Sequence, residues 1–165
     1  MTDLFIRTGT VVVCLFAFAS LGFSQSTPEE LIGNVLKALQ TKDRQTLQNL
    51  TIAESDVKKL VWPTVASNMA GGNMNGDKFA SMYKKSSDVG VDEDLEKFGG
   101  RKWQLVKVAV DEPKKQTKGY RLLPAPMVTV RDDSGAEKTV RLVGGILEQG
   151  GTFKVATYYV SPTQK

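Results

Sequence analysis

The chain has 165 residues, with one cysteine, no histidine, and 22 Lys and Arg against 18 Asp and Glu, for a net charge of +4. Without histidine the usual general base, the usual activator of a nucleophile and the commonest metal ligand are missing, which excludes zinc enzymes, cysteine proteases and Ser-His-Asp hydrolases. The cations are dispersed as single residues and pairs such as Lys58-Lys59, Lys84-Lys85 and Lys114-Lys115; no basic stripe interleaved with aromatics forms, so nucleic acid is not an expected partner.

The N-terminal segment reads as an address. Arg7 precedes the uncharged run Val11 to Phe23, which has the length of a signal-peptide hydrophobic region and is shorter than the ~20 residues of a membrane-spanning helix. Gly22 and Ser24 are small residues at positions −3 and −1 of a cleavage before Gln25, although Ser20 and Gly22 would also serve. Residues 1–24 are therefore expected to be a signal peptide and 25–165 a single exported domain, periplasmic or secreted, with an uncleaved N-terminal anchor as the alternative. Cys14 leaves with the signal, so the domain stands on its packing without disulfides and has no membrane contact once cleaved.

Thr27-Pro28-Glu29-Glu30 is a helix start: Thr27 caps, Pro28 takes the first helical position and Glu30 can close a capping box. Leu31, Ile32, Val35, Leu36 and Leu39 then recur at helical spacing as one apolar stripe. After a break at Gln40–Asp43, Asp43 caps a short second helix with Leu47 and Leu50 inward. Glu54 or Ser55 opens a third, with Val57, Leu60 and Val61 on its buried side, and Pro63 is expected to stop it. Asn68 to Gly76 is loop-like. A fourth helix over Asp77–Ser87 carries Phe79, Met82 and Tyr83 on one side; Asp88-Val-Gly90 is expected to interrupt it, and Val91–Phe98 to resume before a Gly99-Gly100 cap. The acidic cluster Asp92, Glu93, Asp94 and Glu96 lacks the ligand order of a calcium loop and reads as carboxylates on the first turn of that last helix.

From Lys102 the period changes to alternation. Trp103–Val110 is a strand, Asp111–Lys118 a polar connection, and Gly119–Arg131 a second strand that Pro124 and Pro126 bulge or place at an edge. Asp132–Gly135 is a turn, and two final strands meet at Gln149-Gly-Gly151. Strict alternation puts Met127, Thr129, Val140, Leu142, Ile146, Phe153, Val155 and Tyr159 on one face, expected to meet the helices, and Val128, Val130, Arg141, Val143, Leu147, Lys154, Ala156 and Tyr158 on the other. Gly144-Gly145 in mid-strand allows a sharp bend.

The opening Glu29-Glu-Leu-Ile…Leu36-Lys-Ala-Leu…Lys42-Asp-Arg…Leu47 and the closing Gln149-Gly-Gly-Thr-Phe-Lys-Val-Ala-Thr-Tyr-Tyr159 resemble the nuclear transport factor two-like (SnoaL-like, cystatin-like) superfamily. Leu60-Val-Trp-Pro63, Phe98-Gly-Gly-Arg-Lys-Trp-Gln-Leu-Val106 and Val130-Arg-Asp-Asp-Ser-Gly135 look like an exported bacterial group within it. The resemblance implies an α+β roll, with N-terminal helices (28–99) packed on a strongly bent antiparallel sheet of about four strands (102–160) that encloses a cone-shaped cavity. The enzymes of that superfamily usually place Asp, His or Tyr in the cavity, whereas this chain has no His and no Asp on the strand positions assigned to the concave face.

The expectation is thus a non-catalytic binding or assembly domain for a small apolar or amphipathic ligand, with no cofactor and no metal. Trp62, Tyr83, Trp103, Leu142, Ile146, Phe153 and Tyr159 are the pocket-lining candidates. Arg141, Val143, Lys154 and Tyr158 are the candidates for a homodimer or partner interface on the outer sheet face. The alternative is a cavity enzyme of the isomerase or dehydratase kind, pairing Asp56 or Asp77 as a buried carboxylate with Tyr83 or Tyr159.

Overall fold

The computed structural model describes residues 25–67, 74–112, 116–117 and 119–159. The expected signal segment, the loop residues 68–73 and part of the polar connection lie outside these. Helix α1 (Pro28–Thr41) begins as its sequence requires, with Thr27 Oγ1 accepting from the Glu30 N–H at 3.1 Å. Glu30 reaches back one residue beyond the expected box, its carboxylate accepting from the N–H and hydroxyl of Ser26 at 2.8 and 2.7 Å. The stripe Leu31, Ile32, Val35, Leu36, Leu39 is buried. Each such side chain contributes about 1.5–3 kcal/mol by leaving water.

Helix α1 ends at Lys42, whose left-handed backbone (φ 54°) turns the chain back. Asp43 then caps α2 (Arg44–Asn49), accepting from the N–H and hydroxyl of Thr46 at 2.9 and 2.7 Å. The segment after it runs beside β7 through Ile52 N–H to Val155 O (3.0 Å) and Val155 N–H to Leu50 O (2.9 Å).

Pro63 does not stop the third helix. Helix α3 (Glu54–Asp56) passes into a π-helical turn (Val57–Val61) and then α4 (Trp62–Ala66), with the Trp62 N–H bonding Val57 O five residues back. A proline in an ordinary helix clashes with the carbonyl four residues before it and forfeits a hydrogen bond. The widened turn changes the register ahead of Pro63, and the helix continues.

Nor is the fourth helix interrupted: α5 runs unbroken over Gly76–Phe98, capped by Asn75, whose Oδ1 accepts from the Lys78 N–H at 2.9 Å. Its inward face is Ala80, Ser87, Gly90, Val91 and Asp94, with Phe79 and Tyr83 partly buried beside them. Met82 is 57% exposed and does not join that face. The acidic cluster therefore sits in the last third of a long helix. Asp92 pairs with Arg44 (2.9 and 3.2 Å), Glu93 with Lys97 (3.0 Å), and Asp94 is buried.

The strands are β1 (Gln104–Ala109), β2 (Gln116–Thr117), β3 (Tyr120–Pro124), β4 (Met127–Arg131), β5 (Glu137–Val140), β6 (Val143–Gln149) and β7 (Thr152–Tyr158). In place of the single sheet of about four strands they form two antiparallel sheets, β1-β4-β5 and β2-β3-β6-β7. One long hairpin runs through both: β3 and β4 are separated at 125–126, β5 and β6 at 141–142. Across that gap the pairing slips by one residue, from Pro124 opposite Gly145 to Val128 opposite Val140. Pro124 and Pro126 thus mark a bulge, as their missing N–H groups require. The last hairpin closes on Gly150-Gly151, both at positive φ (57° and 78°), the backbone of a two-residue turn matched to strand twist.

The slips invert part of the expected face assignment. Val128 and Val130 are buried, while Met127 is 40% exposed. In the final hairpin, Val143 pairs with Tyr158 and Ile146 with Val155, leaving an extra residue on each strand around Gly144 and Ala156. Val143 and Tyr158 thereby join Ile146, Phe153, Val155 and the α1 stripe in the main core. Leu147 and Ala156 turn the other way, into a second core with Ile52, Val57, Val61, Ala80 and Tyr120. The four-stranded sheet is consequently covered on both faces, by α1 on one and by the α3–α5 region on the other.

Candidate ligand cleft

The α1 side of the sheet is filled. Leu142 and Ile146 are fully buried, Phe153 is 8% exposed, and all three pack in the main core as solid interior. Trp103 joins them there, donating from Nε1 to Phe98 O at 3.0 Å with its ring edge-on to Phe98 and covered by the Lys138 ammonium at 4.0 Å. Trp62 stacks on Phe79 (5.3 Å between centroids) in the α4–α5 layer. Tyr159 lies half-buried past the end of β7 beneath Arg141, 6.0 Å from its ring centroid.

The open space is on the opposite face. There α4 and α5 stand over β3, β6 and β7 around a cleft of about 640 Å³. Its floor is Leu122, Gly144, Gly145 and Ala156, its walls are Tyr83, Tyr120 and Thr64, and Asp111 and Glu112 are exposed at its lip. Gly144 and Gly145 line the floor without side chains, and a Cβ at 145 would press on the neighbouring strand, 3.1 Å from Leu123 O. The Thr64 and Tyr120 hydroxyls hydrogen-bond at 2.8 Å, tying α4 to β3 along one side. Tyr83 borders the gap from α5, and burial pushes its phenol up to about 12, so it is a neutral hydroxyl at physiological pH.

Of the seven pocket-lining candidates, Tyr83 alone borders this cleft. The interface candidates do not share a surface. Val143 and Tyr158 are core residues, Arg141 is exposed with Nε 3.2 Å from Met127 Sδ, and Lys154 lies 4.0 Å from Asp56. Tyr120, Thr64, Leu122 and Ala156 were not singled out by sequence. The one signal that could have found them was the Gly144-Gly145 pair, since glycines in mid-strand leave room beside the sheet.

Neither carboxylate expected to serve an enzyme is buried. Asp77 pairs with Lys58 and its side chain is 77% exposed, while Asp56 is half-buried beside Lys154. The buried carboxylate is Asp94, which is 3% exposed with no hydrogen-bond partner for Oδ2. Burial raises it to about 8, against the pull of Lys97 and with a further push from Glu93. Burial, reinforced by Asp94, pushes the Tyr158 phenol up as well; its hydroxyl donates to Leu47 O at 2.9 Å. Asp94 and Tyr158 border neither the 640 Å³ cleft nor the smaller one under α2. Both residues are buried, Asp94 on α5 and Tyr158 in the main core.

Among the described residues no cluster of three or more His, Cys, Asp or Glu could hold a metal ion, and no helix is long and apolar enough to cross a membrane. Comparisons with protein-family models, curated proteins and solved structures give no match to this chain.

Proposed function

We propose that the chain is an exported, non-catalytic binding domain of nuclear transport factor two-like build, which holds a small apolar or amphipathic molecule between its helices and its sheet. The observation that carries this reading is the 640 Å³ cleft over Leu122, Gly144, Gly145 and Ala156. That volume lies within the ~300–1,000 Å³ usual for small-molecule sites, and an apolar floor with a few hydroxyls on the walls is their usual composition. The break of the long hairpin at 125–126 and 141–142, with its one-residue slip in register, leaves room for the curvature that the cone shape of the superfamily requires. Export rests on the uncharged run of residues 11–23. The exposed carboxylates of Asp111 and Glu112 at the lip suit a ligand whose polar end is neutral or cationic.

N-phenyl-1-naphthylamine, an uncharged apolar fluorophore, tests the reading. Saturable fluorescence enhancement is expected, weakened at least tenfold by Leu122→Glu, which sets a charge on the cleft floor at a position already 41% exposed. Met82→Gln, outside the cleft, leaves the signal unchanged. Enhancement that does not saturate, or that ignores Leu122→Glu while Met82→Gln abolishes it, overturns the assignment.

A further inference from the structure

A second opening lies between α2, α3, α5 and the start of β7, about 420 Å³ in volume, and shares only Tyr83 with the apolar cleft. Its composition differs: Ile52 and Val57 form an apolar side, while Ser87, Asn49, Thr51 and Lys154 present polar groups.

Ser87 is the anomaly. It is 3% exposed, borders the opening, and its hydroxyl makes no hydrogen bond. A serine inside a helix ordinarily bonds the carbonyl one turn back, and a buried hydroxyl without a partner is costly. Tyr83, one turn earlier on the same face of α5, also has no hydrogen-bond partner for its hydroxyl among the described residues, and burial alone raises its phenol.

The balance of donors and acceptors sets the ligand's chemistry. Asp88 is already occupied by Gln48 Nε2 (2.8 Å) and Lys84 Nζ (2.9 Å), and the Thr51 hydroxyl is donated to Leu47 O (3.1 Å). Asn49 Oδ1 accepts from Gln45 (3.1 Å), leaving its NH₂ to give. Lys154 is only loosely engaged, 4.0 Å from Asp56. The unspent side-chain groups are the Asn49 NH₂, the Ser87 and Tyr83 hydroxyls and the cationic Lys154 as donors, against Gln48 Oε1 and the exposed Glu54 carboxylate as acceptors.

We propose that this opening is a second binding site, for a small molecule with a carboxylate and a short branched apolar body. The carboxylate accepts from Ser87, Tyr83 and the Lys154 ammonium, and the apolar body lies against Ile52 and Val57. A carboxylate fits because it is acceptor-only and offers about four lone-pair sites, which matches this surplus.

Isobutyrate and its uncharged analogue isobutyramide, titrated into the ¹⁵N-labelled protein, decide the matter. Saturable amide shifts clustered at Thr51, Ser87 and Lys154 are expected with isobutyrate, at least fivefold weaker with isobutyramide. Ser87→Ala and Lys154→Gln should each weaken isobutyrate at least fivefold, and both should fold, the first because it replaces an unpaired hydroxyl with hydrogen; melting temperatures no lower than that of the unsubstituted protein verify that. Leu122→Glu, which tests the apolar cleft, should leave isobutyrate binding intact, so the two sites fail separately. Equal affinity for the amide, unclustered or non-saturating shifts, or full binding by both variants overturns the proposal.

Discussion

Gly90 lies flat against Tyr158. A Cβ at position 90 would stand 2.7 Å from Tyr158 Cβ and 3.0 and 3.1 Å from its backbone carbon and oxygen. Those atoms belong to β7 and cannot rotate away, so the glycine sets how closely α5 approaches the sheet. Its place inside an unbroken 23-residue helix follows from that contact.

Gly90→Ala is therefore expected to destabilise the fold by about 2 kcal/mol, although alanine is the better helix former by about 1 kcal/mol. Chemical denaturation measures it. A neutral or stabilising outcome would mean that helix and strand separate freely, and that the tight approach is not a constraint.

Asp94 makes a pH prediction. Its folded pKa, raised to about 8 from an ordinary value of 3.8, means that the folded state holds its proton where the unfolded chain has released it. The contribution is fully favourable below the unfolded value and is lost as pH rises toward and through the folded one, so stability should decline between about pH 4 and pH 8. Glu30, Asp43, Asp88 and Asp132, all shifted downward, work in the opposite sense but only at acid pH. Thermal melts from pH 5 to pH 9 should show a falling Tm that Asp94→Asn flattens, with the variant more stable at pH 9 by about 2–3 kcal/mol. A wild-type Tm that rises over this range would contradict the burial of an unpaired carboxylate.

What the sequence disclosed divides along a physical line. Thr27, Asp43 and the Gly150-Gly151 turn are local devices, each satisfied by atoms a few residues away, and each was legible. Gly90 and Pro63 are local breakers whose meaning is tertiary: one admits a strand, the other is absorbed by a π turn. Alternation located the strands but could not count the extra residues at 125–126, at Gly144 and at Ala156, and one such residue exchanges the faces of everything beyond it. That is why Val143 and Tyr158 were read as outer and proved to be core. It is also why the cleft lies beside Leu122 and Ala156, away from Ile146 and Phe153. The burial of Asp94 was hidden for the same reason as Gly90, since it follows only once α5 is one continuous helix.

Lys42 offers a simple test of local strain. It is the non-glycine residue with positive φ (54°) among the described residues, at the point where α1 must reverse. Glycine adopts that conformation without the Cβ penalty and is the usual residue there. Lys42→Gly should raise stability by about 0.5–1 kcal/mol, whereas Lys42→Ala, which keeps the Cβ and removes the side chain packed over Gly100, should give no gain. Equal effects of the two in urea denaturation would show that the backbone geometry carries no cost.

The hydrogen bond between Thr64 and Tyr120 spans two lining residues of the apolar cleft. It joins α4 to β3 at 2.8 Å across residues distant in sequence, and Tyr120 is 7% exposed, so water competes for it little. Tyr120→Phe keeps the ring and its packing against Leu147 and Ala156 in the second core and removes only the hydroxyl. A net loss of about 1 kcal/mol is expected. The loss should be local, because the bond joins α4 to β3 at the edge of the cleft, while β6 and β7 are paired along their length. Hydrogen exchange should accordingly quicken about fivefold at the α4 amides and stay unchanged at β6 and β7. Uniform acceleration throughout the protein would place the hydroxyl's contribution in global stability and leave the cleft without an independently moving wall.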